Sequence, residues 1–176
     1  MPRRDPLANP EPLIRRVYGY AAYRLGAGPE AEDVTSDVFE RALRYRDSYD
    51  PHRGEPVAWL LGIARRCVDD ALRTRDVTSY FEETEAASPE DLEAAAVDRV
   101  SVARAIERLD ARGRDLIALR YGADLSARQI GAVVGLKPNA VDVALHRTLG
   151  RLRQLLETDD EERVARRPDA ATEPSG

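Results

Sequence analysis

Lys137, Asn139, Asp142, Val143, His146 and Arg147 recur at the spacing of one helix face that opens around Pro138, just after Gly135. Cations, amides and a carboxylate on one exposed stripe are the groups that meet phosphates and base edges, so the chemistry on offer is recognition. A shorter helix must precede that stripe. Ser126 is placed to cap it and Gln129, three residues on, to reach back in a capping box, with Ile130, Val133 and Val134 as its buried side. A capped helix, a glycine turn and a second helix with Val141, Leu145, Leu149, Leu152 and Leu156 inward make a helix-turn-helix. In that motif the first helix lies across the DNA backbone and the second enters the major groove. Ser126, Arg128, Lys137 and Arg147 are the candidate phosphate contacts, and Asn139, Asp142, Val143 and His146 the candidate base contacts.

Bond-making chemistry has few candidates. The two histidines, His52 and His146, are far apart in sequence, no glycine loop has phosphate-cradling spacing, and the single Cys67 lies in an apolar helical stripe. No disulfide within the chain, metal site or cofactor is expected. The expected class is a non-enzyme. No apolar run approaches a membrane span, and the N-terminus lacks a secretory signal, so a soluble cytoplasmic protein is expected.

Charge is unevenly distributed. The chain carries a net charge of -5 over 176 residues, yet residues 99–156 hold 11 basic against 5 acidic groups. Residues 76–98 hold 8 acids and no base, and residues 157–176 hold 7 acids against 3 bases. The acidic tracts therefore mask a basic module suited to DNA. Arginine supplies 26 of the 27 basic side chains, which favours phosphate and carboxylate pairing at any pH.

The elements upstream are also helical. Leu13, Ile14, Val17, Tyr18, Ala21 and Leu25 predict a helix stopped by Gly26, Gly28 and Pro29. A second begins at Pro29 with Val34, Val38, Phe39, Ala42 and Leu43 as its apolar stripe. After a polar loop, a third starts at Glu55-Pro56, where Trp59/Leu60, Ile63/Ala64, Cys67/Val68 and Ala71/Leu72 repeat every four residues. Trp59 belongs to that core pattern. Val102, Ile106 and Leu109 give a fourth helix, and Leu116, Ile117 and Tyr121 a fifth that ends near Gly122. The expected architecture is all-α: a helical bundle over residues 13–75, an acidic linker over 76–98, a helix-turn-helix bundle over 99–156 and a disordered acidic tail over 157–176.

Two stretches carry a family resemblance. AEDVTSDVFERAL (31–43) with YDPHRGEPVAWLLGIARR (49–66) resembles region 2 of the extracytoplasmic-function sigma factors of bacterial RNA polymerase. Residues 102–156, including Leu119-Arg120-Tyr121 and Leu145-His146-Arg147, resemble their region 4. The resemblance implies a factor that binds core polymerase, recognises the minus-35 and minus-10 promoter elements and promotes DNA melting. It implies docking on the clamp helices of the largest subunit through Asp33, Asp37, Phe39, Arg41 and Arg44, and a second seat on the flap region. For the unpaired minus-10 strand it points to Tyr49, His52, Arg53, Arg65, Arg66, Asp69 and Arg73. It implies promoter DNA and an anti-sigma factor as partners. The linker is either a thread toward the active-site channel or a spacer.

The chain departs from the family pattern. Ala140, Asp142, Val143 and Ala144 stand where threonine, a basic residue, serine and arginine are usual, and Ser36 and Arg66 replace a common glutamine and asparagine. Lost donors and a carboxylate near phosphates predict a weakened or unusual minus-35 contact. Two other readings stay open: a stand-alone helix-turn-helix regulator, and a polymerase-binding adaptor with weakened promoter recognition.

Overall fold

The computed structural model describes residues 5–79 and 94–165, and among them every regular element is helical. Helices α1 (Pro10–Leu25) and α2 (Pro29–Arg44) each start with proline in the first turn, where no backbone donor is needed. A short 3-10 turn, Arg46–Ser48, leads into α3 (Pro56–Ser79). Next come α4 (Ala94–Glu107), α5 (Ala111–Ile117) and a π-helical turn at Ala118–Gly122, then α6 (Ala127–Val134) and α7 (Pro138–Ala165). Most of the acidic stretch expected as a linker lies outside the described residues, as does the tail beyond Ala165.

The helix starts follow the sequence logic. Asp110 caps α5, its carboxylate accepting from the Gly113 amide at 2.8 Å. Ser126 and Gln129 form the complete capping box of α6. Gly135 closes α6 at φ 74°, the left-handed region where a side chain is strained.

Four positions expected in apolar stripes stand open instead. Ile14, Leu43, Val102 and Tyr121 are 39 to 59% exposed, because each lies at the edge of its stripe, beyond the reach of the packed neighbours. The last helix also runs past Leu156, across residues 157–165 of the expected tail. Arg108, just after α4, holds Asp159 at 2.6 Å, and Asp160 pairs with Arg163 one turn on, so the added turns are tied both to a neighbour and to themselves.

The sequence divides at the acidic stretch, but the packing does not. One apolar cluster runs from Val17, Tyr20, Val38, Leu60, Leu61 and Val68 through Leu116, Leu119, Leu125, Ile130 and Val141. A smaller cluster of Ala105, Leu109, Ile117 and Leu155 joins α4 and α5 to α7. Each fully buried side chain of this size contributes about 1.5–3 kcal/mol relative to exposure, so the join between the bundles draws on the same driving force as either interior.

Candidate nucleic-acid and polymerase interfaces

The helix-turn-helix is set by backbone fit. A Cβ on Gly131 would stand 2.4 Å from the Leu136 carbonyl oxygen, so only glycine lets α6 approach the turn. Gly131→Ala is expected to destabilise the chain by about 1–3 kcal/mol, as overpacked sites do, read as a lower Tm in calorimetry. An unchanged Tm would show that the turn relaxes freely.

With α6 and the turn fixed, Val141 and Leu145 point α7 inward and its other face outward. Lys137, Asn139, Ala140, Asp142, Val143, His146 and Arg147 are exposed. Ser126 and Arg128 are exposed at the start of α6. Arg128, Lys137 and Arg147 form no ion pair among the described residues and stay available for phosphates. Beside them runs an open groove of about 620 Å³, lined by Asp110, Arg112 and Leu116 on one side and Asn139, Ala140, Val143, Ala144 and Arg147 on the other. Its floor is apolar, with Val143 51% exposed, a surface suited to thymine methyl groups rather than hydrogen-bonding edges.

On α2, Asp33, Asp37 and Arg44 are exposed, while Phe39 and Arg41 are half-buried. Arg44 pairs with Glu40 on its own helix, and Arg41 stands 3.7 Å from Asp70 of α3. Phe39 packs against the core and braces that charged face. The face is built of side chains whose loss leaves the interior intact.

Residues expected at the minus-10 strand fall into two sets. Tyr49 is buried, its hydroxyl donating to the Gly54 carbonyl at 3.0 Å and its ring 5.6 Å from Trp59 at a tilt of 56°. That pair pins the loop, with Trp59 packed on the core as its spacing implied. His52, Arg53 and Arg66 are exposed. Arg73 is exposed but reaches Asp70 at 2.8 Å and the Asp69 carbonyl at 3.2 Å, and Asp69 pairs with Arg24 at 3.6 Å. Arg65 turns away from the loop. Its Nε and Nη2 each lie 2.9 Å from Asp115 Oδ2, on the other bundle.

Asp115, Tyr20 and Arg24 are the residues the sequence left unmarked. Asp115 is 6% exposed, and its Oδ1 accepts from the Tyr20 hydroxyl at 2.6 Å and from Arg24 Nη1 at 3.1 Å. Arg24 Nη1 also donates to the Tyr20 oxygen at 3.2 Å. A carboxylate with two guanidinium partners and a hydroxyl is satisfied on both oxygens, the condition for keeping a charge inside. Burial, with the Asp115 charge beside it, pushes the Tyr20 hydroxyl far above its ordinary range and keeps it a donor. The one available signal was an acid beside Leu116 and Ile117 in an apolar register.

The helical scaffold is shared with known proteins. Residues 11–78 match the family Sigma-70 region 2, and residues 99–152 match Sigma-70, region 4. The chain is 31% identical over 145 residues to RNA polymerase sigma factor CarQ of Myxococcus xanthus, covering 80% of this chain and 83% of that one. It is 36% identical over 170 residues to ECF RNA polymerase sigma factor SigD of Mycobacterium tuberculosis, covering 85% and 74%. ECF RNA polymerase sigma factor BldN of Streptomyces coelicolor is 31% identical over 150 residues, and the chain spans 57% of its length. Among solved structures, the sigma factor RpoE of Bartonella quintana, in complex with the anti-sigma factor NepR, superposes with a TM-score of 0.63. That match has 22% identity and covers 84% of this chain and 93% of the other, so it speaks for the fold. CnrH, in complex with the cytosolic domain of CnrY, gives 0.57 at 25% identity, covering 85% and 82%. The chain belongs to the extracytoplasmic-function family of RNA polymerase sigma factors.

Proposed function

We propose that this protein brings core RNA polymerase to promoters through two modules, residues 13–75 and 99–156, and makes no bond itself. Region 2 anchors through Asp33, Asp37, Phe39, Arg41 and Arg44 on the clamp helices. Region 4 seats on the flap and reads the minus-35 duplex with α7. The loop after the 3-10 turn, with His52, Arg53, Arg66 and the outer side of α3, holds the minus-10 strand as the duplex parts. Preferential binding to the open strand shifts the duplex toward melting. The observation that carries this reading is the pairing, on one chain, of an exposed α2 charge face with a capped helix-turn-helix whose outer cations are unpaired.

Strand opening tests the downstream surface. Arg66→Ala combined with Arg53→Ala should reduce permanganate reactivity of the melted minus-10 thymines by about tenfold or more, the scale of losing two contacts to backbone or base. Unchanged reactivity would remove the loop and α3 from the melting surface.

Asp142 favours keeping the adaptor reading in view, because it puts an exposed carboxylate on the reading helix. Asp142→Lys should tighten upstream duplex binding about five- to tenfold at low salt and steepen its salt dependence by roughly one phosphate contact. No gain on duplex DNA would mean that the upstream contact is not limited by charge.

No helix among the described residues is long and apolar enough to cross a membrane. The solved structure of RpoE from Bartonella quintana holds the anti-sigma factor NepR, and a factor of that class is the further partner proposed for this chain.

A further inference from the structure

Arg147 lines two openings. One is the groove beside Val143, and the other is a cleft of about 450 Å³ at the corner between α4 and α5, lined by Arg108, Leu109, Asp110, Arg147, Thr148 and Arg151. The corner sits against α7 because Gly113 has no side chain: a Cβ there would stand 3.2 Å from Thr148 Cγ2 and 2.8 Å from Asp110 Oδ1. That fit brings Arg108, just after α4, beside Arg147 and Arg151, which follow one another by a turn on α7.

Charge in this cleft is unbalanced. Its one acid, Asp110, is committed to the start of α5, where Oδ1 accepts from the Gly113 amide at 2.8 Å. Arg147 and Arg151 are exposed and form no ion pair among the described residues. Guanidinium groups gathered around one open volume repel each other unless an anion sits among them, and their planar forks suit the paired oxygens of a phosphate. The chain already supplies one anion: Asp159 takes Arg108 at 2.6 Å, the two side chains being 27% and 50% exposed. Asp159 arrives from the last turns of α7, which also carry Glu157, Asp160, Glu161 and Glu162. One helix thus presents cations on its reading side and a carboxylate behind them.

We propose that the cleft of Arg108, Arg147 and Arg151 is a second phosphate seat on the flank of the reading helix, and that Asp159 holds Arg108 in place of a DNA phosphate until the duplex displaces it. The seat rests on the proposed meeting of α7 with upstream duplex, and adds Arg108 and Arg151 to the phosphate contacts named above. Asp159 stands twelve residues beyond Arg147, about 18 Å along the helix at ~1.5 Å per residue. That exceeds the roughly 8 Å over which charges are felt at physiological salt, so Asp159 acts on Arg108 and not on the reading face at large. An ion pair this exposed exchanges readily for a phosphate. The acidic end of α7 is therefore a tethered competitor that lowers affinity for DNA in general and leaves base reading to the front of the helix.

Duplex affinity tests this, measured by fluorescence anisotropy of the full chain on a short labelled duplex of mixed sequence over about 50 to 200 mM salt. Asp159→Asn should tighten binding about three- to fivefold at the low end and steepen the salt slope by about 0.9, the value of one phosphate contact. Adding Arg108→Gln should cancel both gains, whereas Arg108→Gln alone should change affinity by less than about twofold, because Asp159 already holds that cation. Arg151→Gln should weaken binding about threefold in either background. Glu161→Gln removes the same charge from the same turns without releasing Arg108, and should change affinity by less than about twofold. An Asp159→Asn gain that survives Arg108→Gln, or that Glu161→Gln matches, would reduce the effect to overall charge and overturn the proposal, as would no gain at all. The full cycle in a chain that directs core polymerase to no start site would keep the phosphate seat and defeat the proposed function.

Discussion

Reversing both charges at Asp33 and Arg41, by Asp33→Arg with Arg41→Glu, is expected to weaken binding to core polymerase about 100-fold, or ~2.7 kcal/mol. Asp33 is exposed and Arg41 half-buried on the outer side of α2, away from the residues that fill the interior. Arg41 lies 3.7 Å from Asp70, a partly exposed pair worth at most about 1 kcal/mol to the fold. Stability should therefore change little while the surface presented to a complementary partner inverts, and like charges set against each other cost more than lost contacts. Binding to labelled core polymerase measures the loss. Affinity of the isolated chain for duplex DNA should stay within about twofold, because α2 lies apart from the helix-turn-helix. Full retention of polymerase binding would remove α2 as the docking face and favour a stand-alone regulator.

The second large effect is on stability. Ile130 on α6 is 0% exposed and belongs to the cluster that spans both modules. Ile130→Ala removes three carbons from that interior and should cost about 3 kcal/mol, within the usual range for such truncations. For a chain of this size Tm falls by roughly 2–4 °C per kcal/mol, giving a drop of about 6–12 °C. Because the larger cluster spans both modules, calorimetry should show one transition shifting as a whole. Two transitions, with only the second displaced, would mean that the modules fold independently and that the join between them adds little.

Local order was legible because local rules govern it. The Ser126–Gln129 capping box, the turn at Gly135 and the proline start of α2 each follow from a few neighbouring residues. The charge faces of α2 and α7 were legible as the polar sides of amphipathic helices. Stripe edges were less so: periodicity alone does not say how wide the covering surface is, and Ile14 and Leu43 fall outside it. The extension of α7 to Ala165 depends on Arg108 meeting Asp159, 51 residues away, which acidic composition does not reveal.

The closure between modules was the least legible feature. Asp115 meets Tyr20 at a separation of 95 residues, Arg24 at 91 and Arg65 at 50. No periodic pattern links positions so distant. Arg65 thus looks in sequence like its neighbour Arg66, yet one is held by the other module and one is open to solvent. The same limit applies to the promoter itself, since Ala140, Asp142 and Val143 define a surface without defining the bases that meet it.

The most direct measurement is transcription from fragmented genomic DNA by core polymerase, with and without this protein, followed by mapping of transcript 5′ ends. Discrete start sites that appear only with the protein, and share a pair of upstream sequence elements, are the predicted result. Polymerase that initiates no differently in its presence would contradict the central claim.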